Sequence, residues 1–257
     1  MAEQGMFDLS GKKALITGGG SGIGRAYCEA MAEFGADVVV CDIIEERALE
    51  TVDIINKYGH KAIAKTADIF QPDEVDRVVK ETADEFGSID IVFANAGVGE
   101  GARSRIHEKR IEDWDRVMNA NLRSVFLLMR AVFPVMMEQK SGNFISTASV
   151  GGFWPVTIPF SVGYATSKAG VIMLTKAAAR QYAKDGIRVN AICPGWTSTN
   201  LHNEEAKKII RKTAKDKVPM GRVSQPSEIK GLAVWLASDS SSYVTGQTFV
   251  SDGGEIA

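Results

Sequence analysis

The residues of this sequence best suited to proton transfer are Tyr164 and Lys168, four positions apart. They precede an apolar run, residues 169–179, that predicts a helix, and positions i and i+4 of a helix share a face. A phenol titrates near pH ~10, so work near neutrality requires its pKa to fall by about three units, or roughly 4 kcal/mol. An ammonium about 4 Å away at an effective dielectric of about 20 supplies that energy. The spacing predicts a lysine-activated tyrosine acid and base; the alternative is two ordinary surface residues.

A glycine-rich turn near the start of the sequence predicts a nucleotide site. An apolar strand at 13–17 runs into the glycines of 18–24, a helix follows to about residue 34, and a second strand at 36–41 ends at Asp42. This is a βαβ unit, in which the glycines allow close backbone approach and the helix N-terminus offers free N–H groups to a pyrophosphate. A simple glycine loop is the alternative, and the flanking strand, helix and acid argue against it.

Asp42 indicates which dinucleotide is preferred. A carboxylate at the end of the second strand accepts hydrogen bonds from ribose hydroxyls and repels a 2′-phosphate. The two positions where a phosphate-binding base is most expected hold Ser21 and Ile43, and Arg47 is one helical turn further on. The pattern therefore predicts NAD rather than NADP, with Arg47 as the residue that could allow NADP.

Composition narrows the class of protein. The chain has 257 residues, 45% hydrophobic and 24% charged, with a net charge of −2, which fits one α/β domain over residues 1–257 and argues against nucleic acid or an anionic membrane as partner. The apolar region 117–137 is interrupted by charged and amide side chains, and no apolar signal core begins the sequence. Three cysteines without paired spacing predict buried thiols in a reducing, cytoplasmic setting, and three scattered histidines predict no metal site.

Strands and helices alternate along the whole sequence, which predicts a mainly parallel sheet covered on both faces. A long helix is predicted over 112–138, with a bend or break near Pro134. The polar segment 200–217 is predicted to be helical, and 196–218 is a candidate lid over the site. The loop 98–110 is either a solvated loop or a handle for an anionic substrate. The handle would be its basic cluster, which consists of Arg103, Arg105, His107, Lys109 and Arg110.

Several of these motifs, in this order, resemble the short-chain dehydrogenase/reductase family. The motifs are TGGGSGIG at 17–24, Asp68, Asn-Ala-Gly at 95–97, Asn121, Ser149, Tyr164 with Lys168, Pro194-Gly195, and TGQ at 245–247 followed by DGG at 252–254. The resemblance covers essentially the whole chain. It implies a doubly wound, Rossmann-type parallel sheet of seven strands in the order 3-2-1-4-5-6-7, a homotetramer or homodimer, and nicotinamide-dependent oxidation of alcohols or reduction of carbonyls.

The resemblance also assigns roles to residues. Tyr164 corresponds to the acid and base, Lys168 to the residue that lowers the phenol pKa and binds the nicotinamide ribose, Ser149 to the hydroxyl on the substrate oxygen, and Asn121 to the holder of a water. The residues implied at the cofactor are Gly18, Ser21, Gly22, Ile23, Gly24, Asp42, Asp68, Ile69, Asn95, Tyr164, Lys168, Pro194, Gly195, Thr197 and Thr199. Asp68 reads equally well as a helix N-cap or a turn residue, and Asn95 as a turn residue.

Two departures from the family pattern stand out. Ala94 replaces an expected Asn, and Ser149 and Tyr164 are 15 positions apart where the family usually has about 13. The second departure predicts a longer loop over 153–160, and it leaves Ser146 and Thr147 as rival hydroxyls. Phe153, Trp154, Phe160 and Trp196 would make a pocket for an apolar, cyclic or aromatic substrate.

These observations predict an NAD-dependent oxidoreductase that interconverts a secondary alcohol and a ketone. One alternative is an NADP-dependent 3-oxoacyl thioester reductase. The other is a dinucleotide-binding sensor without catalysis on the same fold.

Overall fold

Seven parallel strands form one sheet in a computed structural model that describes residues 5–100, 104–154, 161–199 and 204–257. The spatial order is β3-β2-β1-β4-β5-β6-β7, as the sequence predicts. The strands are β1 (Lys13–Thr17), β2 (Asp37–Asp42), β3 (Ala62–Thr66), β4 (Ile91–Ala94), β5 (Gly142–Thr147), β6 (Ile187–Pro194) and β7 (Thr248–Ser251). The order reverses between β1 and β4, and the carboxyl ends of strands at such a switch point form a ligand crevice in open α/β sheets.

Helices pack on both faces of the sheet and create two apolar cores. They are α1 (Gly22–Glu33), α2 (Glu45–Ile55), α3 (Pro72–Phe86), α4 (Ile111–Met118), α5 (Ser124–Gln139), α6 (Val162–Tyr182), α7 (Glu204–Lys217) and α8 (Lys230–Ala237). Alternate strand residues serve opposite cores: Leu15 packs on the face of α3, α5 and α6, and Ile16 on the face of α1, α2 and α8. The predicted doubly wound α/β fold is confirmed.

The long helix predicted over 112–138 has its irregularity in a different place from the one expected. The chain forms α4, then a π-helical turn over Asn119–Arg123, then α5. The predicted break at Pro134 is wrong, because α5 continues through this exposed residue, with Val132, Phe133 and Met136 buried around it. The segment Ile111–Gln139 has the length and apolarity of a membrane-spanning helix, but more than half of its most apolar stretch is buried inside the protein.

Other predicted elements agree with the structure apart from their ends. The helix expected over 200–217 is α7, which begins at Glu204; residues 200–203 lie outside the described part, as do 155–160 of the loop before α6. A 3₁₀ turn at Pro226–Ile229 leads into α8. Cys28, Cys41 and Cys193 are buried and form no disulfide.

A mutation at Gly24 tests the contact between α1 and the glycine turn. A Cβ at Gly24 would lie 2.0 Å from the carbonyl oxygen of Gly18 and 2.6 Å from Nδ2 of Asn95. Gly24→Ala should therefore lower the free energy of unfolding, measured in urea, by about 1–3 kcal/mol. In a helix without such a contact, alanine is more stable than glycine by about 1 kcal/mol. Gly231→Ala in α8 is the control, because no atom lies within 4 Å of its Cβ position. Equal stability of the two variants would contradict the tight contact.

Candidate active site

A cavity of about 480 Å³ opens at the carboxyl ends of the strands, at the switch between β1 and β4. Its walls come from the turns that follow six of the seven strands, β1 to β6. The structure brings nearly all the predicted site residues to this one cavity: Gly18, Ser21, Gly22, Ile23, Asp42, Asp68, Ile69, Asn95, Asn121, Ser149, Tyr164, Lys168, Pro194, Gly195, Thr197 and Thr199. Gly24 does not line it, and instead allows α1 to approach the backbone of Gly18.

The glycine turn packs against the segment after β4 and is hydrogen-bonded to it. Gly18 has φ +64°, and a Cβ there would lie 2.9 Å from the Cα of Ala96. The Nδ2 group of Asn95 donates hydrogen bonds to the carbonyl oxygens of Thr17 (3.2 Å) and Gly18 (3.3 Å). Asn95 thus has a structural role at the turn as well as a position on the cavity wall.

The first turn of α1 faces the same cavity. Ser21 is the N-cap residue, its side chain makes no capping hydrogen bond, and Gly22 and Ile23 line the cavity beside it. The leading N–H groups of a helix have no partner within the helix and attract anions. This end of the cavity therefore fits the pyrophosphate of a dinucleotide.

Asp42 holds the end of β2 against the glycine turn. Its Oδ2 accepts a hydrogen bond from the N–H of Gly20 (2.9 Å), and its Oδ1 accepts one from the N–H of Ile44 (3.1 Å). Each carboxylate oxygen keeps a second acceptor site, which could serve ribose hydroxyls. Arg47 lines the same cavity, so a positively charged side chain is closer to Asp42 than the separation of the two residues in the sequence suggests.

Asp68 is both a residue of the cavity wall and a turn residue, as the sequence predicts. It lines the cavity, and its Oδ1 accepts a hydrogen bond from the N–H of Phe70 (3.0 Å), which is a turn interaction. The N-cap of α3 is Gln71, so the helix-cap interpretation of Asp68 is wrong.

Tyr164, Lys168 and Ser149 form one cluster on the cavity wall. Tyr164 and Lys168 lie one turn apart on α6, and the Nζ of Lys168 is 5.8 Å from the centre of the Tyr164 ring. Ser149 lies close enough to the phenol for its side chain to lower the phenol pKa by hydrogen bonding, and its Oγ accepts a hydrogen bond from the N–H of Gly151 (3.1 Å). The rival hydroxyl of Ser146 faces Thr175. That of Thr147, though on the cavity wall, donates to the Tyr27 hydroxyl (3.5 Å).

The pKa values of this cluster differ from the simple sequence expectation. Burial raises the pKa of Tyr164 above its ordinary value, and the hydrogen bond to Ser149 opposes that rise. Burial lowers the pKa of Lys168 to about 8. The predicted fall in the phenol pKa is therefore wrong for the protein alone. Desolvation has the largest effect on Tyr164, and the Lys168 ammonium donates its hydrogen bond to the carbonyl oxygen of Thr147 (2.7 Å) rather than to the phenol.

Asn121 is buried in the π-helical turn and bonds to the segment after β4. Its Oδ1 accepts a hydrogen bond from the N–H of Val98 (2.8 Å), and its Nδ2 donates to the carbonyl oxygen of Val98 (3.0 Å) and to Ser167 Oγ (3.2 Å). Asn121 therefore connects this segment to α6 and borders the cavity near Lys168.

The loop 98–110 contains a pair that sequence reasoning missed. Glu100 and Lys109 form an ion pair of 2.5 Å whose side chains are only 4% and 6% exposed. Arg105 and Arg110 are exposed, in keeping with a solvated loop, and Arg103 lies outside the described residues. The sequence does show an acidic residue, Glu100, close to a basic cluster, but no neighbouring residue in the sequence indicates that this acid is buried.

The aromatic pocket is smaller than predicted. Trp196 lines the cavity, and its indole N–H donates to Oε1 of Glu255 (2.7 Å). Phe153 and Trp154 are exposed and do not line the cavity, so their predicted role is wrong; Phe160 lies outside the described residues. Ile210 of α7 reaches the cavity, so the candidate lid 196–218 borders it, and its closure stays a prediction.

No cluster of metal-ligating side chains occurs among the residues that the structure describes.

Comparison with known proteins agrees with this geometry. Residues 18–255 match a family model described as enoyl-(acyl carrier protein) reductase. The chain is 38% identical to the cyclohexanol dehydrogenase of Acinetobacter sp., covering 95% of each chain, and 38% identical to the 3-oxoacyl-(acyl-carrier-protein) reductase of Thermotoga maritima, covering 96% of this chain and 98% of that one. The crystal structure of a short-chain type dehydrogenase/reductase from Mycobacterium marinum superposes with a TM-score of 0.93 at 38% identity over 98% of both chains. The chain therefore belongs to the short-chain dehydrogenase/reductase family of oxidoreductases, whose members bind a nicotinamide dinucleotide.

Proposed function

We propose that this protein is an NAD-dependent oxidoreductase that interconverts a secondary alcohol and a ketone. The observation that carries the proposal is the joining, in one cavity, of the cluster Tyr164, Ser149 and Lys168 with the glycine turn and Asp42. The cluster can bind and protonate a substrate oxygen, and the turn fits a dinucleotide.

Tyr164, Ser149 and Lys168 each have a separate role in the proposed reaction. A bound nicotinamide dinucleotide supplies the hydride acceptor or donor. In alcohol oxidation the phenolate of Tyr164 takes the hydroxyl proton, and in ketone reduction the phenol returns it. The hydroxyl of Ser149 hydrogen-bonds the same substrate oxygen and stabilises the charge that develops there. The Lys168 ammonium, held by the carbonyl of Thr147, contributes positive charge beside the phenol and is the candidate group for a ribose hydroxyl.

The pKa values set a requirement on this mechanism. Because burial raises the pKa of Tyr164 in the protein alone, the phenol must gain stabilisation of its charged form when substrate and cofactor fill the cavity. Lys168, with a pKa of about 8, retains most of its charge near neutrality, and its Nζ lies 5.8 Å from the centre of the Tyr164 ring, so it is a candidate source of that stabilisation.

The cofactor preference rests on Asp42. Its carboxylate lines the cavity beside the glycine turn, where a 2′-phosphate would meet a like charge. The second candidate function, an NADP-dependent 3-oxoacyl thioester reductase, is favoured by the presence of Arg47 on the same wall and by similarity to the reductase of Thermotoga maritima.

The proposed substrate class rests on the apolar residues that line the cavity. Trp196, Val150 and Ile210 are among them, which suits a cyclic or otherwise apolar alcohol, and the similarity to a cyclohexanol dehydrogenase agrees. An anionic handle in loop 98–110 has less support, because Lys109 is engaged in a buried ion pair. Large apolar side chains exposed on α5 and α6, such as Phe126 and Met173, support a homotetramer or homodimer as the working form.

A substrate panel with the variant Tyr164→Phe tests the proposed reaction. Cyclic, aryl, steroid and 3-hydroxyacyl thioester alcohols are each offered with NAD and with NADP, and reduced nicotinamide is followed. We expect turnover with NAD on an apolar cyclic class, and a loss of about 10²–10⁴-fold in Tyr164→Phe while NADH binding, measured by fluorescence, is nearly unchanged.

Tyr182→Phe, at the other end of α6, is the control and should retain activity. Undiminished turnover in Tyr164→Phe would contradict the acid and base role. Turnover confined to NADP and thioesters would support the reductase, and tight NADH binding without any turnover would support the sensor.

The pH dependence of alcohol oxidation tests the bond between Ser149 and the phenol. That bond lowers the pKa of Tyr164, so Ser149→Ala should raise it, and a smaller fraction of phenolate should then exist at any given pH. The rising limb of kcat against pH should therefore move to higher pH, and kcat should fall by about 10²–10³-fold through loss of the donor to the substrate oxygen. Ser146→Ala, on the same strand but facing Thr175, should leave the limb in place. A limb that stays put or moves to lower pH in Ser149→Ala would contradict the assignment.

Replacement of Asp42 tests the cofactor preference. Asp42→Asn keeps the shape of the side chain and removes the charge, so the ratio of kcat/KM for NAD over NADP should fall by about tenfold or more, which corresponds to about 1.4 kcal/mol. Arg47→Ala is the companion variant, and it should lower use of NADP while sparing NAD. An unchanged ratio in Asp42→Asn would show that the ribose contact lies elsewhere.

A further inference from the structure

The helix that carries Tyr164 lacks a cap from its own sequence. Tyr164 is the third residue of α6, and the N–H groups of a first helical turn need partners from outside the helix. The N-cap residue Ser161 makes no capping hydrogen bond, and its buried hydroxyl has no partner within the described part of the protein. The cap must therefore come from another segment.

Glu100, 64 positions away from Tyr164, provides that cap. One carboxylate oxygen accepts a hydrogen bond from the N–H of Gly163 (3.2 Å), and the other accepts one from the N–H of Tyr164 (2.5 Å). A Cβ at Gly163 would lie 3.2 Å from the nearer carboxylate oxygen, so glycine leaves room for this approach. The carboxylate also lies at the positive end of the helix dipole.

The carboxylate is buried and its charge is matched. Lys109 donates to Oε1 of Glu100 in a pair that is almost wholly removed from solvent. Arg116 donates to the backbone carbonyl of Glu100 (3.2 Å), which fixes the chain at this point. A buried carboxylate without such a partner would be strongly destabilising, so Lys109 makes the cap possible.

The same segment connects α6 to the predicted site residue Asn121. Val98, two residues before Glu100, exchanges hydrogen bonds with the Asn121 side chain. Asn121 in turn donates to Ser167 Oγ, which donates to the carbonyl oxygen of Tyr164. The backbone of Tyr164 is thus tied at its N–H by Glu100 and at its carbonyl through Ser167.

We propose that Glu100, held by Lys109, is a positioning residue that fixes the phenol of Tyr164 relative to Ser149. The inference rests on the proposed role of Tyr164 as acid and base. Without the carboxylate, two N–H groups of the first turn of α6 lose their partners, and the turn that carries the phenol is free to fray. A displacement of about 1 Å at a reacting group can cost about 10²-fold in rate.

The test compares Glu100→Ala and Glu100→Gln with Glu112→Ala. Glu112 is a matched control, because it is an acidic residue in the first turn of α4 with an arginine partner, but it is exposed. Three quantities are measured: kcat, the KM for NAD, and hydrogen exchange of the backbone amides of Gly163 and Tyr164 by mass spectrometry.

We expect Glu100→Ala to lower kcat by about tenfold or more, to leave the KM for NAD within about twofold, and to speed exchange in the first turn of α6. Glu100→Gln keeps one acceptor oxygen, so its kcat should lie between those of Glu100→Ala and the wild type, and it carries the test if the alanine variant does not fold. Glu112→Ala should match the wild type in all three quantities.

Wild-type kcat in a folded Glu100→Ala, or in Glu100→Gln if only that variant folds, would overturn the positioning role, and so would equal losses in kcat and in affinity for NAD. Failure of the proposed function is a separate result, because it would appear as retained turnover in Tyr164→Phe. In that case the positioning role would fall with it, while faster exchange in Glu100→Ala would still identify Glu100 as the cap of α6.

Discussion

Removing the Lys168 ammonium from water is the constraint on which the candidate active site depends. The side chain is nearly inaccessible, yet its charged form has to persist beside the phenol. The carbonyl oxygen of Thr147 meets that need, and it is available because it belongs to the last residue of β5. The pairing of β5 with β4 and β6 therefore sets the position of the ammonium, and through α6 the position of the phenol.

Burial shifts the pKa values of Tyr164 and Lys168 in opposite directions. It disfavours the phenolate of Tyr164 and the ammonium of Lys168 alike: the pKa of Tyr164 rises, and that of Lys168 falls to about 8, which still leaves most of the lysine charged near neutrality. Such a pair responds strongly to any charge or hydrogen bond that enters the cavity. Filling the cavity should therefore change the proton affinity of Tyr164, the proposed acid and base.

Much of the fold and most of the site could be predicted from the sequence, for identifiable reasons. The alternation of apolar strands and amphipathic helices determines the sheet. The predicted site residues lie at or after the carboxyl end of a strand, or on a helical segment whose place follows from that sheet. Gly18, Asp42 and Ser149 are of this kind. Their placement needs only the strand order, because the carboxyl ends of parallel strands meet at one edge.

The features that could not be predicted depend on contacts between distant segments. The direction of the Tyr164 pKa shift depends on how completely the fold excludes water, which no spacing reveals. The apolarity of Phe153 and Trp154 predicts a place in the cavity wall, yet both side chains are exposed. Glu100 looks like any loop acid until Lys109 and α6 are seen around it. Pro134 was expected to disturb its helix, but packing of its neighbours maintains α5.

The π-helical turn at Asn119–Arg123 has a consequence for the register of the long helical segment. A turn closed by i→i+5 bonds holds one residue more than an α-helical turn, so α4 and α5 are offset in phase by about 100° from a continuous helix. A chain one residue shorter at this point could form an uninterrupted helix of the same amphipathic sequence. In such a helix, either Asn121 would be rotated away from Val98 or the apolar face of α5 would be rotated away from the core. The Asn121 contact and the packing of α5 could not both be kept. The extra residue thus allows a single helical segment to pack against the core through α5 and to line the cavity through Asn121.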